Sequence, residues 1–195
     1  MIENEYLQNQ HKKDISNSNK PWVTIIMGPT ASGKSTLGLL LYEKIKSESD
    51  NVKFYDGDTI RKKLKKEYSH SLSDRYKVLN EYLEIISKNC QKGDSIILST
   101  VLHKNKMREI VKKKLDNVFL IYLHCDINVC EKRDYKGHYK RARKGEANCV
   151  PGVTEKYEYP DNADLIVDTE NNSISESLNL IIDFMNNTKI LKLYD

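Results

Sequence analysis

A segment near the amino terminus, Gly28-Pro29-Thr30-Ala31-Ser32-Gly33-Lys34-Ser35-Thr36, has the spacing of a phosphate-binding loop. It has the form G-x4-G-K-S, follows an apolar β-prone run and precedes a helical pattern. Glycines and small residues let consecutive backbone N–H groups converge on phosphate oxygens at a helix N-terminus, where the helix dipole favours negative charge. The Lys34 amine is expected to reach the β- and γ-phosphates, and the Ser35 hydroxyl to bind Mg²⁺. The residues predicted to bind the nucleotide are Gly28, Thr30, Ala31, Ser32, Gly33, Lys34, Ser35 and Thr36.

Two carboxylates follow the second predicted strand, in the segment Tyr55-Asp56-Gly57-Asp58-Thr59-Ile60-Arg61. Strand ends in open α/β sheets face the ligand crevice. Asp58 is therefore a candidate general base for an attacking hydroxyl, and Asp56 could hold a Mg²⁺-bound water or share the role of the base. A turn followed by an aspartate helix cap also fits this segment. Both interpretations can hold together, because a capping carboxylate is a positioned carboxylate.

Arg61 and Arg75 lie on successive predicted helices near the same crevice, and each could grip phosphate or sulfate with two hydrogen bonds. The lysines at 62, 63, 65 and 66 are interpreted instead as a solvated helix face. The histidines at 70, 103, 124 and 138 lack metal-ligand spacing. We expect an anion-binding role for the two arginines and no metal role for the histidines.

The elements that must position these residues alternate between strand and helix patterns. Alternation of this kind predicts one α/β domain with a doubly wound, five-stranded parallel sheet and helices on both faces, the P-loop NTPase kinase fold. The predicted strands are 23–27, 52–55, 95–100, 118–123 and 165–168, and the predicted helices are 34–47, 58–66, 74–91, 104–115, 126–134 and 173–188.

Two segments depart from this alternation. Residues 1–20 form a polar tail with little to bury, so the kinase domain is predicted to span residues 21–195. Residues 135–160 combine many lysines and arginines with glycines and prolines, too many loop residues for a regular element. We predict that this second segment is a mobile basic lid over the phosphates.

Composition limits the function classes. A net charge of +4 with 31% charged residues does not call for nucleic acid, and no basic groove interleaved with aromatic residues is present. Four cysteines without zinc spacing are expected to be reduced. No signal peptide or membrane span is recognised, which predicts a cytoplasmic protein without a membrane partner.

From Gly28 to Thr169 the chain resembles adenylyl-sulfate kinases. The resemblance is carried by the phosphate-binding loop, Asp56-Gly57-Asp58-Thr59-Ile60-Arg61, Ser73-Asp74-Arg75, the run from Val129 to Glu146, and Leu165-Ile166-Val167-Asp168-Thr169. That family transfers the γ-phosphate of Mg-ATP to the ribose 3′-hydroxyl of adenylyl sulfate. The resemblance implies that Asp58 is the base, that Arg61 and Arg75 hold the acceptor's phosphate-containing part, and that a homodimer is plausible. It also implies that Arg133 lies against the ATP adenine and that the lid contacts the phosphates through Lys140, Arg141 and Arg143.

The departures from the family concentrate on the acceptor. His70 and Val150 replace the two phenylalanines that clamp the acceptor adenine in the family, and Asn148 replaces a lid lysine. Val78, Asn80 and Glu81 stand where the family has an asparagine and two arginines, and Val101-Leu102-His103-Lys104 replaces Ile-Ser-Pro-aromatic. A missing aromatic stack removes ~1–3 kcal/mol per base. The acceptor is therefore adenylyl sulfate or, alternatively, a smaller cytidine conjugate, as in the related cytidine-diphosphoramidate kinase of capsule modification. A non-catalytic nucleotide-binding module is a more distant alternative.

Overall fold

The computed structural model describes residues 20–49 and 51–188. The predicted tail lies outside the described residues except for Lys20. The strands are β1 (Val23–Met27), β2 (Val52–Asp56), β3 (Ser95–Thr100), β4 (Val118–His124) and β5 (Leu165–Asp168). The helices are α1 (Lys34–Lys46), α2 (Gly57–Lys63), α3 (Leu72–Cys90), α4 (Asn105–Lys114), α5 (Ile127–Arg133), α6 (His138–Arg143) and α7 (Ile174–Asn187).

The five strands form one parallel sheet in the order β2-β3-β1-β4-β5. In β1 all five residues are buried, as expected for a central strand covered on both faces. All carboxyl ends of the strands lie at one edge of the sheet, so the loops that follow them converge. The predicted doubly wound α/β fold is confirmed.

Alternate residues of the strands supply two cores. Helices α2, α3 and α4 cover one face through residues such as Ile60, Leu83 and Val111. Helices α1 and α7 cover the other through Leu41 and Ile181. A smaller cluster joins Cys125 and Cys130 to Tyr139 of the predicted lid.

Helix α1 approaches the sheet unusually closely at Gly38. A Cβ atom there would lie 2.4 Å from Ser99 Oγ and 2.7 Å from the Phe54 ring. Any larger residue would push the helix away from β3. Since α1 begins at Lys34, this contact sets the position of the phosphate-binding loop.

The prediction that residues 135–160 hold no regular element is wrong in one part, because α6 forms at His138–Arg143. Gly137, with φ of 68°, makes the turn into this helix, and the Asp134 carboxylate accepts a hydrogen bond from the Tyr139 N–H at 2.9 Å. Tyr139 and Ala142 bury one face of the helix. Tyr139 and Ala142 are three residues apart and so lie on the same face of the helix. Their burial stabilises the helix despite the glycines on either side of it.

Candidate active site

A cavity of about 1260 Å³ opens at the carboxyl edge of the sheet. Its lining joins the phosphate-binding loop, the start of α2, the start of α3 and the predicted lid. Most of the predicted site residues surround it: Thr30, Ala31, Ser32, Gly33, Lys34, Ser35, Thr36, Asp56, Asp58, Arg61, His70, Arg75, Val78, Arg133, Arg141, Asn148 and Val150. Lys34 and Arg141, which are 107 positions apart in the chain, thus line the same cavity.

The phosphate-binding loop has the backbone that an anion cradle requires. Gly33 has φ of 95° and Ala31 has φ of 61°, both in the left-handed region. Gly28 does not line the cavity but lets the loop pass close to β4, since a Cβ atom there would lie 2.8 Å from the Leu123 carbonyl oxygen. The Lys34 amine donates to the Pro29 carbonyl, which holds it across the loop.

Lys34 has an altered protonation equilibrium. Burial lowers its pKa to about 8, while the carboxylates of Asp58 and Asp56 oppose the shift. The positive charge of the amine is therefore stabilised by both carboxylates. A phosphate arriving in the loop would add further negative charge and favour the protonated amine.

Three hydroxyl groups outside the loop fix its carbonyl groups. Ser99 Oγ donates to the Lys34 carbonyl at 2.8 Å, and Thr169 Oγ1 donates to the Ser32 carbonyl at 3.0 Å. Tyr139 Oη donates to the Thr30 carbonyl at 3.0 Å. Sequence reasoning gave these three residues no role. Ser99 and Thr169 lie at or just after strand ends, which is the one local signal that could have indicated them.

Ser35 and Asp56 form the pair expected of a magnesium site. Ser35 Oγ donates to Asp56 Oδ2 at 2.5 Å, and Asp56 Oδ1 accepts from the Thr59 N–H at 3.0 Å. Asp56 is the N-cap of α2, so both interpretations of its segment hold for this carboxylate. Mg²⁺ takes oxygen ligands, keeps several waters and needs only one or two carboxylates beside substrate phosphates. A hydroxyl and a carboxylate in contact at the loop's end fit that ion.

Asp58 lies in the first turn of α2, is exposed, and lines the cavity next to the P-loop. Among residues 20–49 and 51–188, no hydrogen bond to the Asp58 side chain is formed, in contrast to Asp56. A carboxylate that faces the cavity on a rigid helix start is available to an incoming hydroxyl.

Arg61 and Arg75 stand on the acceptor side of the cavity. Arg61 Nη2 donates to the carbonyls of Tyr68 at 3.1 Å and Ser69 at 2.5 Å. Arg75 donates through Nε to the His70 carbonyl at 3.1 Å and through Nη2 to the Cys149 carbonyl at 2.9 Å. Burial, with the positive charge of Arg61, lowers the pKa of Arg75. Two adjacent guanidinium groups make this wall suited to an anion.

The remaining acceptor wall is formed by His70, Val78, Asn148 and Val150. Burial and the charges of Arg61 and Arg75 lower the pKa of His70, so the imidazole is neutral at neutral pH. The chain has three phenylalanines, at 54, 119 and 184, and all of them belong to the core on the α1 and α7 face. A phenylalanine clamp on the acceptor is therefore absent from this protein.

The cations at the end of α5 and in the predicted lid separate into two groups. Arg133, which donates to the Thr169 carbonyl at 2.9 Å, and Arg141 line the cavity. Lys140 is exposed and does not line it, and Arg143 instead pairs with Glu131 at 3.2 Å. Lys136, which was not assigned to the site from sequence, does line it.

Other features of the described residues are consistent with this site. All four cysteines are free. Within residues 20–49 and 51–188, no three histidine, cysteine or acidic side chains gather as metal ligands. Over the same residues, none of the helices has the length and apolar character needed to cross a bilayer.

Comparison with known proteins identifies the family to which this chain belongs. The family model for adenylylsulphate kinase matches residues 20–168. Adenylyl-sulfate kinase of Staphylococcus epidermidis is 33% identical over 180 residues, which are 91% of this chain and 88% of that protein. The fold resembles that of the APS kinase CysC of Mycobacterium tuberculosis in complex with AMPPNP and APS, with a TM-score of 0.80, 24% identity and coverage of 86% of this chain and 98% of that one. It also resembles a hexameric APS kinase from Thiobacillus denitrificans, with a TM-score of 0.68, 18% identity and coverage of 91% and 31%. With the family model matching most of its length, the chain belongs to the adenylylsulphate kinase family.

Proposed function

We propose that this protein transfers the γ-phosphoryl group of ATP to the ribose 3′-hydroxyl of adenylyl sulfate. One observation carries the proposal: the P-loop lysine, the Ser35–Asp56 pair, the free carboxylate of Asp58 and the Arg61–Arg75 wall line a single cavity. A phosphate donor and an anionic acceptor can thus bind in the same cavity, with Asp58 available as the base. The family membership supports the same reaction.

Each residue has a role set by its place in the cavity. Backbone N–H groups of the loop bind the β- and γ-phosphates, and Lys34 stabilises the negative charge on the transferring group. Asp58 accepts the proton of the acceptor hydroxyl as that oxygen attacks phosphorus. Ser35 and Asp56 would hold Mg²⁺, which when bound neutralises charge on the phosphates. Arg61 and Arg75 orient the acceptor through its anionic part.

A second candidate acceptor is a cytidine diphosphate conjugate such as cytidine diphosphoramidate. The observation that favours it is the acceptor wall, which contains His70 and Val150 and none of the chain's three phenylalanines. A pyrimidine is smaller than a purine and depends less on that stack. The chemistry at Asp58 and the P-loop would be the same for both acceptors.

Steady-state ADP formation by the purified protein with Mg²⁺ distinguishes the two acceptors. We expect turnover with adenylyl sulfate, and Lys34→Ala controls for a contaminating kinase. Turnover with cytidine diphosphoramidate but not with adenylyl sulfate would mean that the cytidine conjugate is the acceptor. ATP binding without transfer to either would contradict both and favour a binding module.

We also propose that the protein is a homodimer working in the cytoplasm. Oligomeric assembly of a structural relative supports self-association. The four free cysteines suit a reducing compartment. Sedimentation equilibrium at micromolar concentration tests the first point, with a monomer mass as the contradicting result, and fractionation of the producing cells tests the second.

A further inference from the structure

The lid residues next to the acceptor form a short, self-contained turn. Residues 148–155, called here the acceptor loop, fold around the Val150 carbonyl, which accepts from the N–H groups of Val153, Thr154 and Glu155 at 3.0 to 3.2 Å. The Val150 N–H donates to Thr154 Oγ1 at 2.8 Å, and the Gly152 N–H donates to the Glu155 carbonyl at 2.7 Å. Because these bonds close on themselves, the loop moves as one body.

Asn148 and Val150 at the start of the acceptor loop line the cavity, whereas Glu155 at its end does not. The start is attached to α3 by the bond from Arg75 to the Cys149 carbonyl. Cys149 has φ of 60°, an unusual conformation for a residue other than glycine, so this attachment holds the backbone in a specific state. A second attachment at the far end is needed to fix the orientation of the whole turn.

Glu155 supplies that second attachment in a buried setting. Its Oε2 lies 3.2 Å from Nε2 of His103, and its Oε1 lies 3.7 Å from the amine of Lys104. The His103 side chain is 0% exposed, and that of Glu155 is 14% exposed. Neither His103 ring nitrogen has a well-directed hydrogen bond among the described residues, so the 3.2 Å approach to Glu155 is a close contact without hydrogen-bond geometry. A largely covered carboxylate placed between an imidazole and an ammonium resists displacement more than an exposed ion pair does.

The neighbouring backbone continues the attachment. The Glu158 N–H donates to the His103 carbonyl at 2.8 Å, and Lys104 Nζ donates to the Lys156 carbonyl at 3.0 Å. By the resemblance to the family, His103 stands where the Ile-Ser-Pro-aromatic run has its proline. The side chain that meets Glu155 is therefore one of the departures for which the sequence gave no role.

We propose that Glu155 and His103 are positioning residues for the acceptor, which fix the acceptor loop from the end opposite Arg75 and so place Asn148 and Val150 against the bound acceptor. The inference rests on the proposed function, since it assigns these two residues to the acceptor and not to ATP. Neither residue touches the reacting atoms.

The test compares Glu155→Gln with Glu84→Gln, which removes an exposed ion pair 4.0 Å long between α3 and α4. Misplacement of a substrate-positioning loop weakens catalysis strongly, so we expect Glu155→Gln to raise the acceptor KM about tenfold with the ATP KM unchanged. His103→Gln should give the same shift, and the double variant should be no worse than either single one. Equal rises in both KM values, or an unchanged acceptor KM, would overturn the proposal.

A second readout does not depend on turnover. The rate at which N-ethylmaleimide labels Cys149, followed by peptide mass spectrometry, reports the looseness of the acceptor loop, and Cys90 at the end of α3 is the internal reference. Glu155→Gln should speed labelling of Cys149 but not of Cys90, and Glu84→Gln should leave Cys149 unchanged. If the wild type turns over neither acceptor, the proposed function fails while this labelling still decides whether Glu155 anchors the loop. Unchanged Cys149 labelling would overturn the anchor itself.

Discussion

The two halves of the cavity are built in different ways. The phosphate half is mostly backbone, and three carbonyls of its loop receive hydroxyl donors from β3, from α6 and from the residue after β5. The acceptor half is made of side chains carried by α2, by α3 and by loops, and its two arginines donate hydrogen bonds to loop carbonyls. Chemistry common to all phosphate donors belongs to the first half, and the choice of acceptor belongs to the second. Because the two halves are built separately, the residues that select the acceptor can change while the phosphate-binding half stays the same.

Loss of the P-loop amine should produce the largest effect. Lys34→Ala removes the cation that is expected to stabilise the transferring phosphoryl group, so we expect kcat to fall by about a thousandfold or more. Initial-rate ADP formation measures it. An active Lys34→Ala enzyme would mean that the phosphate half does not work as a kinase site.

Removal of the base should separate binding from transfer. In Asp58→Asn we expect turnover to fall about 10²- to 10⁴-fold, because general base catalysis is lost, while ATP affinity is largely kept. Calorimetric titration with ATP and a rate assay on the same sample provide the comparison. Retained turnover would remove Asp58 from the role of base.

The acceptor half can be altered without touching the phosphate half. Combining His70→Phe with Val150→Phe restores two aromatic surfaces, and stacking contributes ~1–3 kcal/mol per base. We expect the KM for adenylyl sulfate to fall by about tenfold or more, with the ATP KM unchanged. The cytidine conjugate serves as the control acceptor, and an equal gain for both acceptors would contradict the account of this wall.

The phosphate half should also show a pH limit. Burial lowers the pKa of Lys34 to about 8, so its positive charge is present below that pH and is lost above it. We expect kcat/KM for ATP to fall above pH about 8, approaching about tenfold for each further pH unit. Bound phosphates raise the pKa of the amine, so the fall in kcat should begin at higher pH. A kcat/KM that stays level to pH about 10 would contradict this assignment.

The smallest effect should come from removing one hydrogen bond that supports the phosphate-binding loop. Tyr139→Phe leaves the Thr30 carbonyl without its donor, a loss of about 1 kcal/mol that corresponds to roughly a fivefold rise in the ATP KM. Tyr159→Phe is the matched control, because Tyr159 is 52% exposed and does not line the cavity. Equal KM changes in the two variants would mean that Tyr139 does not support the loop.

The contrast between the halves also decides what could be predicted from sequence. The P-loop and the Asp56 segment were predictable because each is a local pattern whose neighbours in the chain are its neighbours in space. The strands were predictable for the same reason, since each is a short apolar run. Helix α6 was missed because the tertiary contacts of Tyr139 and Ala142 overrode the glycines and charges around them.

The acceptor half was not predictable to the same depth. The bond between Arg75 and Cys149 joins residues 74 positions apart, and the contact between His103 and Glu155 joins two loops. No local periodicity encodes such pairs. The resemblance to the family placed Lys140 and Arg143 with the phosphates, but the packing of α6 decides which of its cations line the cavity.

The most direct test of the central claim is to locate the transferred phosphate. Wild-type protein is incubated with Mg²⁺, ATP and adenylyl sulfate, and the product is analysed by phosphorus NMR with proton correlation. The account predicts a new phosphomonoester coupled to the ribose 3′ proton, formed in step with ADP. Release of inorganic phosphate with the acceptor unchanged, or a phosphate on another oxygen, would contradict it.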